Sequence, residues 1–171
     1  KENVVNNFVD EYVAGRTPNP CVRCNSFIKW DTFIDQAEIL GAKYIATGHY
    51  ARIEENNGNY FIKEGVDSKK DQSYVLWGIP KETIKQTILP LGDLTKQEVR
   101  QIALDNKLET ANEPESMEIC FIADNNYKRF IKEYAPEKTE NITEGKTLNE
   151  FGKEIGKNDG YINYTIGQRK G

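Results

Sequence analysis

YIATGHYAR, residues 44–52, is the stretch whose reading decides the fold. Tyr44, Ile45 and Ala46 make a short apolar run that ends in Thr47-Gly48-His49. Just upstream, Gly41 stops a segment of helical periodicity. The run therefore reads as a buried strand finishing in a glycine–histidine turn. Helix followed by strand across a short link is the order found in a parallel α/β sheet, and it predicts the later half of such a sheet. In open α/β sheets, ligands lie beyond the carboxyl ends of the strands. Gly48, with no Cβ, lets the backbone approach a ligand closely, and His49 stands where it reaches phosphate or ribose.

Upstream, Val4, Val5, Phe8, Val9, Tyr12 and Val13 recur at helical spacing, and Gly15 supplies the stop. A rigid loop over Arg16–Cys24 follows, in which Pro18 and Pro20 fix an extended backbone and block helix. A second helix is predicted from about Ser26 to Leu40, with Ile28, Ile34, Ala37 and Leu40 inward. Downstream, Arg52 to Lys63 alternates around Asn56-Asn57-Gly58-Asn59, a hairpin signal. Asp67 to Trp77 reads as a polar loop entering a helix. Thr95-Lys96-Gln97-Glu98 has the form of a capping box, with Val99, Ile102 and Ala103 on one helical face. Asp124 is expected to cap a helix through Phe130 and Tyr134. From Ile142 on, spaced glycines predict turns and strands.

The whole is 171 residues with net charge −4 and a pI near 5.2. That balance argues against a stand-alone nucleic-acid module with a basic face, but not against an enzyme that meets RNA through local patches. No apolar run of about 18 residues exists, so no membrane helix is expected. Three cysteines cannot all pair, which disfavours a secreted disulfide scaffold and points to the cytoplasm. The chain starts Lys1-Glu2-Asn3 without Met and stops at Arg169-Lys170-Gly171, so both ends read as cut from a longer protein.

Cys21 and Cys24 form a CxxC: a redox pair, half a metal site, or coincidence. Where a proline-fixed loop enters a helix, Cys24 would lie near the positive end of the helix dipole beside Arg23, a setting that favours thiolate. The third cysteine, Cys120, lies in Glu118-Ile119-Cys120-Phe121-Ile122, whose apolar flank by itself suggests a buried core thiol. His49 is the only histidine. With the three cysteines it would make a Cys3His zinc set, but no second close pair of ligands supports one. Gly65-Val66-Asp67-Ser68-Lys69 imitates the tail of a phosphate loop, yet Glu64 stands where such a loop needs another glycine. No GxGxxG and no GxxxxGK[ST] occurs.

Six stretches together carry a resemblance: GRTPNPCVRCNSFIKW (15–30), YIATGHYAR (44–52), DSKKDQSYVLW (67–77), LGDLTKQEVR (91–100), ICFI (119–122) and YTIGQRKG (164–171). In this order they resemble the successive motifs of the tRNA-specific 2-thiouridylase family. The resemblance implies an α/β fold. Residues 1–70 would be the later half of a Rossmann-like adenine-nucleotide-binding domain of the PP-loop ATPase type. Residues 71–171 would be a small, mostly helical central tRNA-binding domain running into the start of a C-terminal barrel. The N-terminal phosphate-loop segment and the barrel itself are expected to lie outside the chain, so the chain alone should not thiolate tRNA.

The family chemistry implied is ATP-dependent 2-thiolation of the wobble uridine, with Mg2+, through an adenylated uridine and a cysteine persulfide. Cys120 matches the persulfide-bearing cysteine and Cys24 its partner nucleophile. Asn19, Pro20 and Cys21 match the target-base segment, Gly48 an ATP contact, and His49, Lys70, Asp71 and Gln72 the tRNA contacts. A sulfur-relay protein or a cysteine desulfurase would be the donor. Cys21 departs from the family, many of whose members carry Asp there; a thiol is a poor substitute for a carboxylate in acid–base work. Three converging cysteines (Cys21, Cys24, Cys120) would instead suit a [4Fe–4S] cluster with one open iron. Rival readings are a non-catalytic adaptor using CxxC as a metal staple, and a tRNA methyltransferase fragment, for which no glycine-rich S-adenosylmethionine loop is present. Glu113 to Ile122, with one proline, two acids and no periodicity through Met117, is expected to be mobile, and to hold Cys120 away from Cys24 when no tRNA is bound.

Overall fold

The periodic apolar residues at the start of the chain do form a helix, α1 (Glu2–Val13). It is followed by α2 (Pro20–Cys24), α3 (Thr32–Ile39), β1 (Ile45–Ala46), β2 (Ala51–Asn56) and β3 (Asn59–Glu64). Then come β4 (Thr87–Ile88), α4 (Lys96–Asp105), α5 (Tyr127–Tyr134), α6 (Pro136–Thr139), β5 (Gly145–Leu148) and β6 (Glu154–Asn158). The structure is a computed structural model and describes residues 2–113 and 119–169. Residues 114–118, the centre of the segment expected to be mobile, lie outside the described residues. The chain divides into two compact units, one of residues 1–20 with 117–171, the other of residues 21–116.

In the first unit, Phe8, Val9 and Tyr12 of α1 share a core with Ile122, Ile131 and Ala135. Gly15 ends the helix as expected, at φ +73°, a conformation that costs glycine little. Aromatic edges fill the space between: Phe8 meets Phe121 at 5.4 Å, and Tyr12 stacks on Tyr127 at 4.7 Å. Helix α5 begins one residue pair later than the sequence suggests. Its cap is Asn126, whose side-chain oxygen accepts from Arg129 N–H at 3.0 Å, rather than Asp124. Asp124 instead accepts from Asn126 N–H at 3.2 Å and pairs with the Arg129 side chain at 2.7 Å, fixing the cap in place. The glycine-punctuated stretch forms the antiparallel β5–β6 hairpin, with a register shift between Thr147 and Leu148.

In the second unit, the proline argument at the CxxC needs correction. Pro20 does not block helix; it begins α2. At the first helical position its fixed φ suits the helix, and its missing N–H is one the helix leaves unpaired anyway. The predicted helix over 26–40 is also broken. A π-helical turn (Asn25–Lys29) follows α2 directly, and Trp30 and Asp31 interrupt the chain before α3. Trp30 is only 1% exposed, and burial of this large ring decides the local path. The inward set is accordingly different: Ile34 is buried and Ala37 packs on the core, but Ile28 is exposed and Leu40 is 82% exposed.

Strand β1 pairs with β4 in parallel, Ile45 opposite Thr87 and Ala46 opposite Ile88. Thr47 N–H continues the ladder to Ile88 C=O at 3.1 Å. The parallel prediction thus holds over two residues, but the strand is not buried throughout: Ile45 is buried, whereas Ala46 is exposed and Tyr44 is 58% exposed. The β2–β3 hairpin closes on Asn57 and Gly58, both at positive φ (51° and 76°), as a type I′ turn requires. The core gathers Trp30, Ile34, Ile45, Ala51, Val75, Leu76, Ile79 and Ile84. The loop from Asp67 enters a short 3-10 turn (Ser73–Val75) rather than a longer helix. The capping box of α4 is reciprocal: Glu98 N–H donates to Thr95 Oγ1 at 3.3 Å and Thr95 N–H to Glu98 Oε2 at 2.7 Å. Its apolar face is only partly covered, however: Val99 and Ala103 are half-buried. No residue of α4 is buried, and Ile102 is 48% exposed.

Candidate functional site

The carboxyl end of β1 opens into a cleft of about 700 Å³ in the second unit. Thr47, Gly48 and His49 form one wall, Ile28 and Lys29 of the π turn and Thr32, Phe33 and Gln36 of α3 another, and Gln72 borders it. The two walls meet because Trp30, between the π turn and α3, is pinned in the core. Its indole N–H donates to Thr87 Oγ1 at 2.8 Å, and its ring lies 5.6 Å from His49. A cleft with apolar groups (Ile28, Phe33), one lysine and a glycine backbone matches what an adenine nucleotide needs: a surface for the base, a cation for phosphate and room for close approach.

His49 does not project outward. It is 8% exposed, and Nδ1 lies 2.9 Å from Thr47 Oγ1. Burial, then the nearby Lys29 charge, lowers its pKa to about 4, so it is neutral at pH 7. Gly48 is exposed at the cleft, and a Cβ there would meet only Leu91 Cδ1, at 3.6 Å.

Lys70, Asp71 and Gln72 sit in a tightly bonded loop. Lys70 N–H donates to Asp67 C=O at 2.9 Å. Gln72 forms a two-way bridge with Tyr50: its N–H donates to Tyr50 C=O at 2.8 Å and its Oε1 accepts from Tyr50 N–H at 3.1 Å. Asp71 accepts from Gly65 N–H (2.8 Å), Ser73 N–H (3.3 Å) and Ser73 Oγ (2.7 Å). Burial works to raise the Asp71 pKa, but these hydrogen bonds outweigh it and hold the carboxyl below the usual range. Asp71 therefore has a structural task, tying the end of β3 to the turn that carries Gln72. The Gly65–Lys69 stretch is part of the same packed loop, with Val66 N–H bonded to Gly92 C=O at 3.0 Å.

Asn19 is exposed, Pro20 is buried, and Cys21 is exposed. Cys24 is half-buried, one turn upstream of Ile28 and Lys29 at the cleft. It is the last residue of α2, not the first, so the helix-dipole argument does not apply to it; Cys21 stands nearer the amino end. Cys120, in the first unit, is exposed. Ile119, Phe121 and Ile122 pack on the core and leave its side chain outside, so the apolar flank does not bury the thiol. All three cysteines are thiols. Among the described residues, no group of three or more His, Cys, Asp or Glu side chains is placed to hold a metal ion.

The sequence reading missed Lys29, Thr32, Phe33 and Gln36. Local spacing does not single out Phe33: it stands four residues before Ala37, on a helical face the two share, so period alone groups it with the core side. Among the described residues, no helix is long and apolar enough to cross a membrane.

The tRNA methyl transferase HUP domain matches residues 1–124, and the tRNA methyl transferase PRC-barrel domain matches residues 128–171. A Rossmann-like α/β domain followed by a smaller one is thus the fold of the chain. The tRNA-specific 2-thiouridylase MnmA of Amoebophilus asiaticus (strain 5a2) is 49% identical over 169 residues, covering 98% of this chain and 45% of that protein. The proteins of the same name from Clostridium perfringens (strain 13 / Type A) and Clostridium acetobutylicum are 46% and 47% identical over 171 residues, covering all of this chain and 47% of each. The chain spans about half the length of the curated relatives it matches. It belongs to the family of the tRNA-specific 2-thiouridylases, whose HUP domain accounts for its first 124 residues.

Proposed function

We propose that the protein is an ATP-dependent tRNA sulfurtransferase that replaces the 2-oxygen of the wobble uridine with sulfur. The observation that carries this reading is identity of 46–49% along 98–100% of the chain to proteins named for that activity. The cleft at the carboxyl end of β1 supports it, because an α/β sheet holds a nucleotide there.

In this reading ATP, with Mg2+, adenylates the uridine oxygen and turns a poor leaving group into a good one. The terminal sulfur of a persulfide on Cys120 then attacks the activated carbon, and AMP departs with the oxygen. Cys24 thiolate attacks Cys120 Sγ, breaking its bond to the transferred sulfur. That step leaves 2-thiouridine and a Cys24–Cys120 disulfide, which a dithiol reductant reopens. Gly48 borders the nucleotide, Asn19, Pro20 and Cys21 the target base, and His49, Lys70, Asp71 and Gln72 the tRNA. A neutral, buried His49 acts there through hydrogen bonding and shape rather than charge. The persulfide comes from a sulfur-relay protein or a cysteine desulfurase. No observation favours a [4Fe–4S] cluster on Cys21, Cys24 and Cys120 as part of this chemistry.

The test uses the protein extended to the length of its relatives, with ATP, a persulfide donor and unmodified tRNA. The expected result is 2-thiouridine in the digested tRNA and a matching yield of AMP. Absence of 2-thiouridine, or methylated uridine formed from S-adenosylmethionine, would overturn the proposal.

A further inference from the structure

We infer that Cys21 is the resolving thiol for Cys24: it displaces whatever sulfur group becomes joined to Cys24 and closes a Cys21–Cys24 disulfide in the first turn of α2. The inference deepens the reading above, in which Cys24 enters a disulfide, and it rests on that reading only for the identity of the displaced group.

Three observations carry it. Cys21 and Cys24 stand three residues apart in one five-residue helix, so they face the same side one turn apart. Cys21 is exposed and Cys24 half-buried, so a group joined to Cys24 meets a solvent-accessible thiol beside it. Finally, no metal-holding group of three side chains accounts for the pair among the described residues.

The backbone permits closure. Side chains three apart on a helix have Cβ atoms about 5–6 Å apart, and a disulfide needs about 3.5–4.5 Å. The first turn absorbs that difference cheaply. Cys21 stands in the first turn of a helix, where the ladder is incomplete because the leading N–H groups lie ahead of any helical carbonyl that could accept from them. Tightening the turn around Cys21 therefore disturbs less of the ladder than it would in a helix interior.

The step balances. With R the group on Cys24, Cys21 gives its proton to solvent, and its thiolate attacks Cys24 Sγ. The Cys24–R sulfur–sulfur bond breaks as the Cys21–Cys24 bond forms, and R leaves as a thiolate that takes up a proton. No net oxidation occurs, because the disulfide only changes partners. A dithiol reductant then regenerates both thiols. If R is Cys120, the exchange frees Cys120 to accept the next sulfur before the reductant arrives.

Oxidised glutathione is the probe, added to the reduced, native chain without ATP or tRNA, so that the outcome does not depend on the thiolation reading. Trypsin cuts after Arg16, Arg23 and Lys29, which places Cys21 in peptide 17–23 and Cys24 in peptide 24–29. The expected product is peptides 17–23 and 24–29 joined by a disulfide, with little glutathione on either. In Cys21→Ser, glutathione should remain on peptide 24–29, about tenfold more abundant there than in the unmodified chain. The unmodified chain decides the matter even if the variant folds poorly. Glutathione lodged on Cys24 beside a Cys21 that still alkylates overturns the inference, and so does failure of either thiol to react.

Discussion

The indole N–H of Trp30 donates to the Thr87 hydroxyl at 2.8 Å, and that hydroxyl donates in turn to Thr83 C=O at 2.9 Å. Both partners are buried, and the relay fastens the break between the π turn and α3 to the strand that holds β1. Thr87→Val keeps the shape and removes the acceptor, stranding a buried N–H. The expected cost is about 1–3 kcal/mol, read as a lower urea midpoint at unchanged slope. Trp30→Phe combined with Thr87→Val should cost less than the two singles added, since neither polar group is then left unpaired. Strict additivity would mean that the bond contributes nothing.

Two glycines near the cleft should behave oppositely. A Cβ on Gly92 would stand 2.0 Å from Ala51 C=O oxygen, backbone that cannot swing away. Gly92→Ala should therefore lose about 3 kcal/mol or more, visible as a depressed melting temperature. A Cβ on Gly48 meets only Leu91 Cδ1 at 3.6 Å, ordinary contact. Gly48→Ala should fold within about 0.5 kcal/mol of the parent. If Gly48 borders ATP, its affinity should still fall about tenfold by calorimetry on the protein at its relatives' length. Unchanged affinity would remove Gly48 from the nucleotide site.

Much of this was legible in the sequence because it is local. The helical period of Val4 to Tyr12, the Asn57-Gly58 turn, the Thr95–Glu98 box and the short Ile45–Ala46 strand are each set by neighbouring residues. What failed depended on distant partners. The break at Trp30 is decided by Thr87, 57 residues away. The partly covered α4 face could not be told from a buried one by periodicity alone. Pro20 is ambiguous in sequence because the same residue blocks a helix interior and starts a helix. For the site, Gly48 and His49 followed from the strand-end rule, whereas Phe33 and Gln36 required knowing which way α3 turns after the break.

His49 gives a pH dependence with a definite sign. Its folded pKa is lowered from 6.5 to about 4 by burial and then by Lys29. Between those values the unfolded chain binds more protons than the folded one, so stability rises with pH across the window. It is fully present above about pH 6.5 and is lost as pH falls toward 4, with a ceiling of about 3 kcal/mol. Urea unfolding at a series of pH values should show this slope, and His49→Gln should flatten it. An equal slope in the variant would assign the effect to carboxylates instead.

The last prediction separates the two cysteines assigned to sulfur transfer. Cys120 is exposed because Ile119, Phe121 and Ile122 anchor its neighbours in the core, an arrangement suited to meeting a protein donor. Cys24 is half-buried, one turn from residues that line the cleft, an arrangement suited to acting after the base is bound. In the protein at its relatives' length, Cys120→Ser and Cys24→Ser should both bring turnover to background, but at different stages. Cys120→Ser should carry no sulfane sulfur after incubation with a persulfide donor, because a hydroxyl cannot hold it. Cys24→Ser should load sulfur on Cys120, consume ATP once, and stop with tRNA joined to the protein through sulfur, since no thiol releases it. Trapping that adduct by denaturing gel and freeing it with a reductant would fix the order of events. Normal sulfur loading in Cys120→Ser, or steady release of 2-thiouridine by Cys24→Ser, would reverse or remove the assignment.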